Sequence, residues 1–194
     1  MAEKRVVQEE KTVSSEFIFD GKVVHLYCDK VALPDGNIAT REYVKHIGAV
    51  CVVPVTDEGE VVCVRQYRYA VGRAMLEIPA GKLDSPDEDR REAALRELRE
   101  ETGASCKRLD YIGKYYSSPA ILDECIYMYI ARGLDFGETD LDDDEYIETE
   151  KIPVDELVRM ICNGEISDGK TQAAVLKAAI LINAEKGGES NGKA

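Results

Sequence analysis

The sequence predicts a mixed α+β fold. Three observations lead there. Residues from Glu16 to His46 alternate in a strand-like way between turn signals, two apolar runs flank a short turn between 48 and 69, and one charged helical pattern is set among further strand-like stretches.

The elements follow in chain order. Residues 1–15 are polar and expected to be loosely held. Asp20-Gly21 and Pro34-Asp35-Gly36-Asn37 divide the next stretch into two antiparallel hairpins. So few strands are unstable alone, so this region must pack on the rest of the chain or on a second subunit. GAVCVVPV (48–55) and VVCVRQYRY (61–69) read as strands around Thr56-Asp57-Glu58-Gly59. A helix is predicted from about Glu88 to Thr102, with Pro86 just before it and Gly103 where a left-handed residue ends a helix. Strand-like stretches return at 108–117, 124–132 and 146–152, and helices are expected at 154–163 and 171–184. The expected division is an N-terminal β region over 1–46, a main domain over 47–184 and a disordered tail over 185–194.

Charge narrows the function. The 194 residues carry 38 acidic and 25 basic side chains, a net charge of −13. That argues against nucleic acid or an anionic membrane as partner, since both require a basic face. A small anionic substrate held locally by metal or arginine stays open. The first residues lack the apolar core of a secretory leader, and the apolar stretch Ala173–Ile182 is too short to span a bilayer and contains Lys177. The six cysteines form no C-x-x-C pair, and most lie in apolar strand-like runs. They read as small buried hydrophobes in a reducing cytoplasm.

The most informative stretch is GKLDSPDEDRREAALRELREETGA, residues 81–104. On a helix, Ala94, Leu95 and Leu98 fall on or near one face, while Glu97, Glu100 and Glu101 share another. Like charges at this spacing oppose helix formation. Two readings compete: a solvated acidic face laced with Arg96 and Arg99 salt bridges, or a site where carboxylate oxygens bind a hard divalent cation.

The whole string resembles the Nudix box, G-x5-E-x7-R-E-U-x-E-E-x-G-U, with U apolar. Arg96, Glu97, Leu98, Glu100, Glu101, Gly103 and Ala104 match position by position. Six residues rather than five separate Gly81 from Glu88, so either Glu88 follows a one-residue loop insertion or Asp87 stands in the glutamate's place. The insertion keeps the helix register. The resemblance implies a Nudix fold, an α/β/α sandwich with a mixed sheet between helices, and Mg²⁺-dependent hydrolysis of a nucleoside diphosphate compound, with Mn²⁺ as a substitute metal.

The flanks VRQYRYAVGRAMLEIPAGKLD and YYSSPAILDE, with Pro119 fifteen residues after Ala104, resemble the ADP-ribose pyrophosphatase subfamily. Ala120-Ile121-Leu122 departs from the glycine many members carry after the proline. The resemblance implies a cytoplasmic homodimer that exchanges its N-terminal hairpins and splits ADP-ribose into AMP and ribose 5-phosphate. It implies Glu97 and Glu101 as principal metal ligands, Glu100 as a third or supporting catalytic carboxylate, and the Ala80 carbonyl as a further ligand. Arg96 would hold a box carboxylate in place. Arg68, Glu77 and Pro119, with Arg41 as a weaker candidate, would face the substrate. For Arg68 the bland alternative is a surface strand arginine, and for Glu77 a structural salt bridge.

Residues 138–150, ETDLDDDEYIETE, hold eight acids and no base. An EF-hand reading fails because Glu145 stands where glycine is needed and Lys151 where glutamate is needed. In the resembled subfamily a loop here delivers a glutamate to the attacking water. Glu145 matches best, with Glu148 and Asp144 behind it. Residues 164–171, GEISDGKT, satisfy the P-loop string. The string needs a buried strand before it, and DELVRMICN reads as a helix, so the segment is expected to be a turn into the last helix, with Asp168 near its start.

Overall fold

The computed structural model describes residues 8–141 and 146–191, with side chains described as far as residue 186. The chain divides into two compact units.

The first unit holds residues 8–46 together with Ser118–Glu124. It is a three-stranded antiparallel sheet of β1 (Lys11–Asp20), β2 (His25–Ala32) and β3 (Ile38–Lys45), in that order. Strand β1 starts inside the polar stretch expected to be loose. Its ten residues are all exposed, so backbone pairing to β2, not burial of a face, makes it a strand. The segment 118–124 returns to β3, where the Val44 amide donates to the Ile121 carbonyl at 2.8 Å and the Asp123 amide to the Val44 carbonyl at 3.3 Å.

The second unit contains β4 (Ala49–Val55), β5 (Glu60–Arg68), β6 (Arg73–Glu77), β7 (Ala80–Lys82), α1 (Arg90–Thr102), β8 (Ala104–Tyr116), β9 (Cys125–Phe136), β10 (Ile147–Pro153), α2 (Val154–Cys162) and α3 (Gly169–Asn191). Its seven-stranded sheet runs β10-β5-β4-β9-β8, with β6 on β5 and β7 on β4. β4 and β9 are parallel, and the other pairs are antiparallel. β4 is buried along its whole length because both faces are covered. Val50 and Val52 point to α1, packing with Leu83, Ala93, Ala94 and Leu98. Cys51, Val53 and Val55 point the other way, into a core with Leu157, Ile161, Ala174 and Val175 of α2 and α3. The result is the expected mixed sheet between helices.

β6 and β7 were not expected, since they are short and interrupted by Ile78-Pro79. α3 runs past the expected end at 184, through part of the segment expected to be disordered, because Ala184-Glu185-Lys186 are good helix formers. Burial pushes the Cys51 and Cys63 thiols up to about 12, as befits cysteines that serve as core. Among the described residues no helix is long and apolar enough to cross a membrane.

Candidate active site

Helix α1 is defined by local chemistry at both ends. The Asp89 carboxylate accepts from the Arg91 and Glu92 amides at 2.9 and 3.1 Å, capping the N-terminus. Gly103 closes the C-terminus at φ 69°, where its amide donates to the Arg99 carbonyl. Between the caps, Ala93, Ala94 and Leu98 are fully buried against β4. This fixes the helix rotation and turns the glutamates inward: Glu97 is 8% and Glu101 4% exposed. Glu97 and Glu101 are therefore not on a solvated face, while Glu100 is half-buried.

Arg96 lies at the centre of the carboxylates. Its Nη1 donates to Glu97 Oε1 at 2.7 Å and to Glu100 Oε2 at 3.1 Å. Its Nη2 donates to Glu88 Oε1 at 3.3 Å, and its Nε lies 3.6 Å from Asp84 Oδ2. Burial works against the Arg96 charge, but Glu97 first, then Asp84, Glu100 and Glu88, more than offset it and raise its pKa. Of the two candidates for the first glutamate of the motif, it is Glu88 that meets this arginine. Its second oxygen accepts from the Asp84 amide at 2.6 Å, closing the loop that holds the extra residue.

The turn before β7 completes the site. The Ala80 amide donates to Glu101 Oε2 at 3.1 Å. Gly81 lies directly against Glu97, and a Cβ there would overlap all three atoms of the carboxyl group. Glycine is needed here for close approach, not for an unusual φ. Among the described residues no group of three or more histidine, cysteine, aspartate or glutamate side chains is placed to hold a metal ion by itself. Two buried carboxylates with Glu100 beside them still suit a hard cation that keeps waters or takes phosphate oxygens as its remaining ligands.

Arg68, near the end of β5, forms a two-pronged pair with Glu77 at the end of β6. Nε and Nη2 reach the two carboxylate oxygens at 2.8 Å each. Glu77 is 1% exposed, and Lys170 of α3 also pairs with its Oε2. Burial would raise the Glu77 pKa, but the Arg68 hydrogen bonds and the Lys170 charge outweigh it and hold the carboxyl below its ordinary value. The Arg68 pKa is raised, chiefly by its hydrogen bonds to Glu77, with Glu101 and Asp168 adding to the field. The strand pair thus sets a fixed cation within electrostatic reach of the carboxylate helix.

Comparison with known proteins places this arrangement. The NUDIX domain model matches residues 45–173, and the model of the nucleoside diphosphate sugar hydrolase N-terminal domain matches 10–44. The chain belongs to the Nudix hydrolase family. It is 43% identical to the ADP-ribose pyrophosphatase of Bacillus subtilis over 86% of this chain and 91% of that one. It is 44% identical to the methanol dehydrogenase activator of Bacillus methanolicus over the same shares. A crystal structure of an ADP compounds hydrolase superposes with a TM-score of 0.82 over 94% of this chain and 98% of that one, at 18% identity, a likeness of fold.

Helix α1 and the loop before it thus gather Glu88, Arg96, Glu97, Glu100 and Glu101, with Ala80 against Glu101 and the Arg68–Glu77 pair in the same unit. Arg41 and Pro119 belong to the first unit. Arg41 is exposed and paired with Glu10 at 2.6 Å, and Pro119 is exposed in the turn that opens the 118–124 segment. Glu145 and Asp144 lie outside the described residues. Glu148 stands opposite Arg65 and lines a cavity of about 460 Å³ with Tyr67, Leu141 and Tyr146. The acidic segment starts at α1, where the Asp140 amide donates to the Glu100 carbonyl at 3.0 Å. Sequence reasoning missed Lys170 as a partner of Glu77, because the two are 93 positions apart. The only trace was the P-loop-like string, whose lysine and threonine turn out to be bonded inward.

Proposed function

We propose that the protein hydrolyses the diphosphate linkage of ADP-ribose to AMP and ribose 5-phosphate, with Mg²⁺, or Mn²⁺ in its place. The observation that carries this is the burial of Glu97 and Glu101 on one helix with Arg96 locked against Glu97 and Glu100. Carboxylate oxygens gathered on one helix face in this way are the ligand type a hard divalent cation takes. Identity of 43% to an ADP-ribose pyrophosphatase over 91% of its length supports the substrate class.

The roles follow from the chemistry. Glu97, Glu101 and the Ala80 carbonyl hold the cation, with Glu100 as a third or supporting ligand. The bound cation supplies neutralisation of the diphosphate charge and a more acidic water. Arg96 keeps the carboxylates aimed. Arg68 grips an anionic oxygen of the substrate, and Glu77 holds Arg68 at the required angle. Arg41 and Pro119 contribute to the substrate's surroundings. Glu145 takes the proton of the attacking water. Water oxygen bonds to one phosphorus, the bridging P–O bond breaks, and the leaving phosphate keeps its electron pair. Residues 1–46 form a dimer by covering the exposed β1 with a second copy, and the protein works in the cytoplasm.

The test is turnover of ADP-ribose, other ADP-sugars and dinucleotides by wild type and Glu101→Gln, with products identified. Loss of turnover in Glu101→Gln supports the metal site, and equal activity of both proteins refutes it. A different best substrate would reassign the specificity within the same chemistry. Absence of any turnover, combined with ADP-ribose binding, would make the chain a binding module instead.

A further inference from the structure

The last four residues of the P-loop-like string 164–171 are not a bare turn. Asp168 Oδ2 accepts from the Thr171 amide at 2.9 Å, from Thr171 Oγ1 at 2.6 Å and from Lys170 Nζ at 3.2 Å. Thr171 Oγ1 in turn accepts from the Ile78 amide at 3.0 Å. Lys170 pairs with Glu77, the residue before Ile78. These contacts form a closed ring joining the start of α3 to the end of β6. The ring is nearly dry: Thr171 is fully buried, and the Lys170 and Asp168 side chains are 12% and 17% exposed.

Outside the ring, Glu77 meets Arg68 alone among the contacts above. The fork to Glu77 uses Nε and Nη2 of Arg68, while Nη1 is not part of it. The direction of that guanidinium is therefore set by the direction of the Glu77 carboxylate. A carboxylate fixed from one side can swing about its last bonds. Fixed from two sides it cannot. Lys170 supplies the second side, and Asp168 aims Lys170. We propose that Lys170 is a positioning residue for substrate binding, acting through Glu77 on Arg68, with Asp168 and Thr171 as its support. This rests on the reading that Arg68 grips the substrate.

The experiment is steady-state kinetics of the full chain with Mg²⁺ on the best diphosphate of the panel, or ADP-ribose Kd where none is turned over. The proteins are wild type, Arg68→Met, Lys170→Met, Lys170→Arg and the Arg68→Met/Lys170→Met double variant. Lys170→Met should raise KM about 10-fold, the scale of a charge-assisted hydrogen bond, and change kcat much less. Lys170→Arg should recover most of that loss. The double variant should be no worse than Arg68→Met, because Lys170 has nothing left to position. A merely structural lysine would lower thermal stability without this split or this non-additivity. Wild-type KM in Lys170→Met, or losses that multiply in the double variant, overturn the proposal while leaving the reading of Arg68 intact. Unchanged KM in Arg68→Met overturns both. If Lys170→Met does not fold, Asp168→Asn carries the test, since it drops the charge that aims Lys170. Its KM should rise about 3-fold, and an unchanged KM overturns the proposal.

Discussion

Replacing Gly81 by alanine would separate the carboxylate site from the fold that carries it. The backbone at 81 is not in the left-handed region, so alanine meets no conformational barrier there. The added methyl would instead lie inside the Glu97 carboxyl group, far below the 3.0 Å that real Cβ contacts respect. The nearest carboxyl atoms would lie at 2.0 Å and ordinary contact begins at 3.4 Å, so the carboxylate must retreat by about 1.4 Å. The carboxylate is the far end of a flexible side chain, so the retreat is cheap for the fold, at about 1 kcal/mol. In a chain of this size that lowers the thermal midpoint by about 2–4 °C. The site suffers more. The 2.7 Å bond from Arg96 is lost or bent, and under the proposed role of Glu97 as a metal ligand a displacement on the order of 1 Å costs on the order of 10²-fold in turnover. Turnover against Mg²⁺ concentration, with a melting curve for each protein, reads both effects. Full activity of Gly81→Ala at the same Mg²⁺ concentration and the same midpoint would refute the close-approach argument.

Other expectations are simpler. Glu145→Gln should reduce kcat by about 10²-fold or more with little change in KM, the scale of general-base catalysis. Near wild-type kcat would remove Glu145 from that role and direct attention to Glu148. Asp89→Ala should destabilise the protein by about 1 kcal/mol in denaturant unfolding, because two amide donors at the start of α1 lose their acceptor. No change would mean that water caps the helix equally well. Glu77 gives a pH dependence. Its folded pKa is depressed, so its contribution is present above the unfolded value near 4.5 and is lost as pH falls through the lower folded value. The difference in midpoint between wild type and Glu77→Gln should therefore be constant above about pH 5 and shrink in acid. A difference that grows in acid would reverse the assignment.

What the sequence made legible was local. Helix α1 could be read because Pro86 before it, its apolar face and its terminal glycine all lie within a few turns of one another, although its cap Asp89 was not foreseen. β4 and β5 could be read because a run buried on both faces needs continuous apolar residues. The carboxylate set could be read because helical spacing alone puts Glu97 and Glu101 together. What stayed hidden depends on partners far away along the chain. Nothing between 73 and 82 announces two short strands, since their residues are chosen for what they touch: Gly81 for Glu97, Glu77 for Arg68 and Lys170. Nor does the 118–124 segment announce that it returns to β3.

The distribution of charge links these two kinds of information. Residues 81–103 carry a net −3 and residues 138–150 a net −8, so most of the −13 lies in the helix and the acidic stretch. Sequence alone leaves open whether such acidity is solvated. Burial decides it, because Glu97 and Glu101 are turned inward by the alanines and leucine packed on β4. The protein then meets the same problem at two places in the second unit, how to hold a carboxylate away from water. At Glu77 the answer is internal: two cations from β5 and α3, with both oxygens used. At the helix one arginine is shared among Glu88, Glu97 and Glu100. Sharing one arginine among three carboxylates differs from the closed Glu77 pair, and this contrast supports the proposal of a cation at the helix.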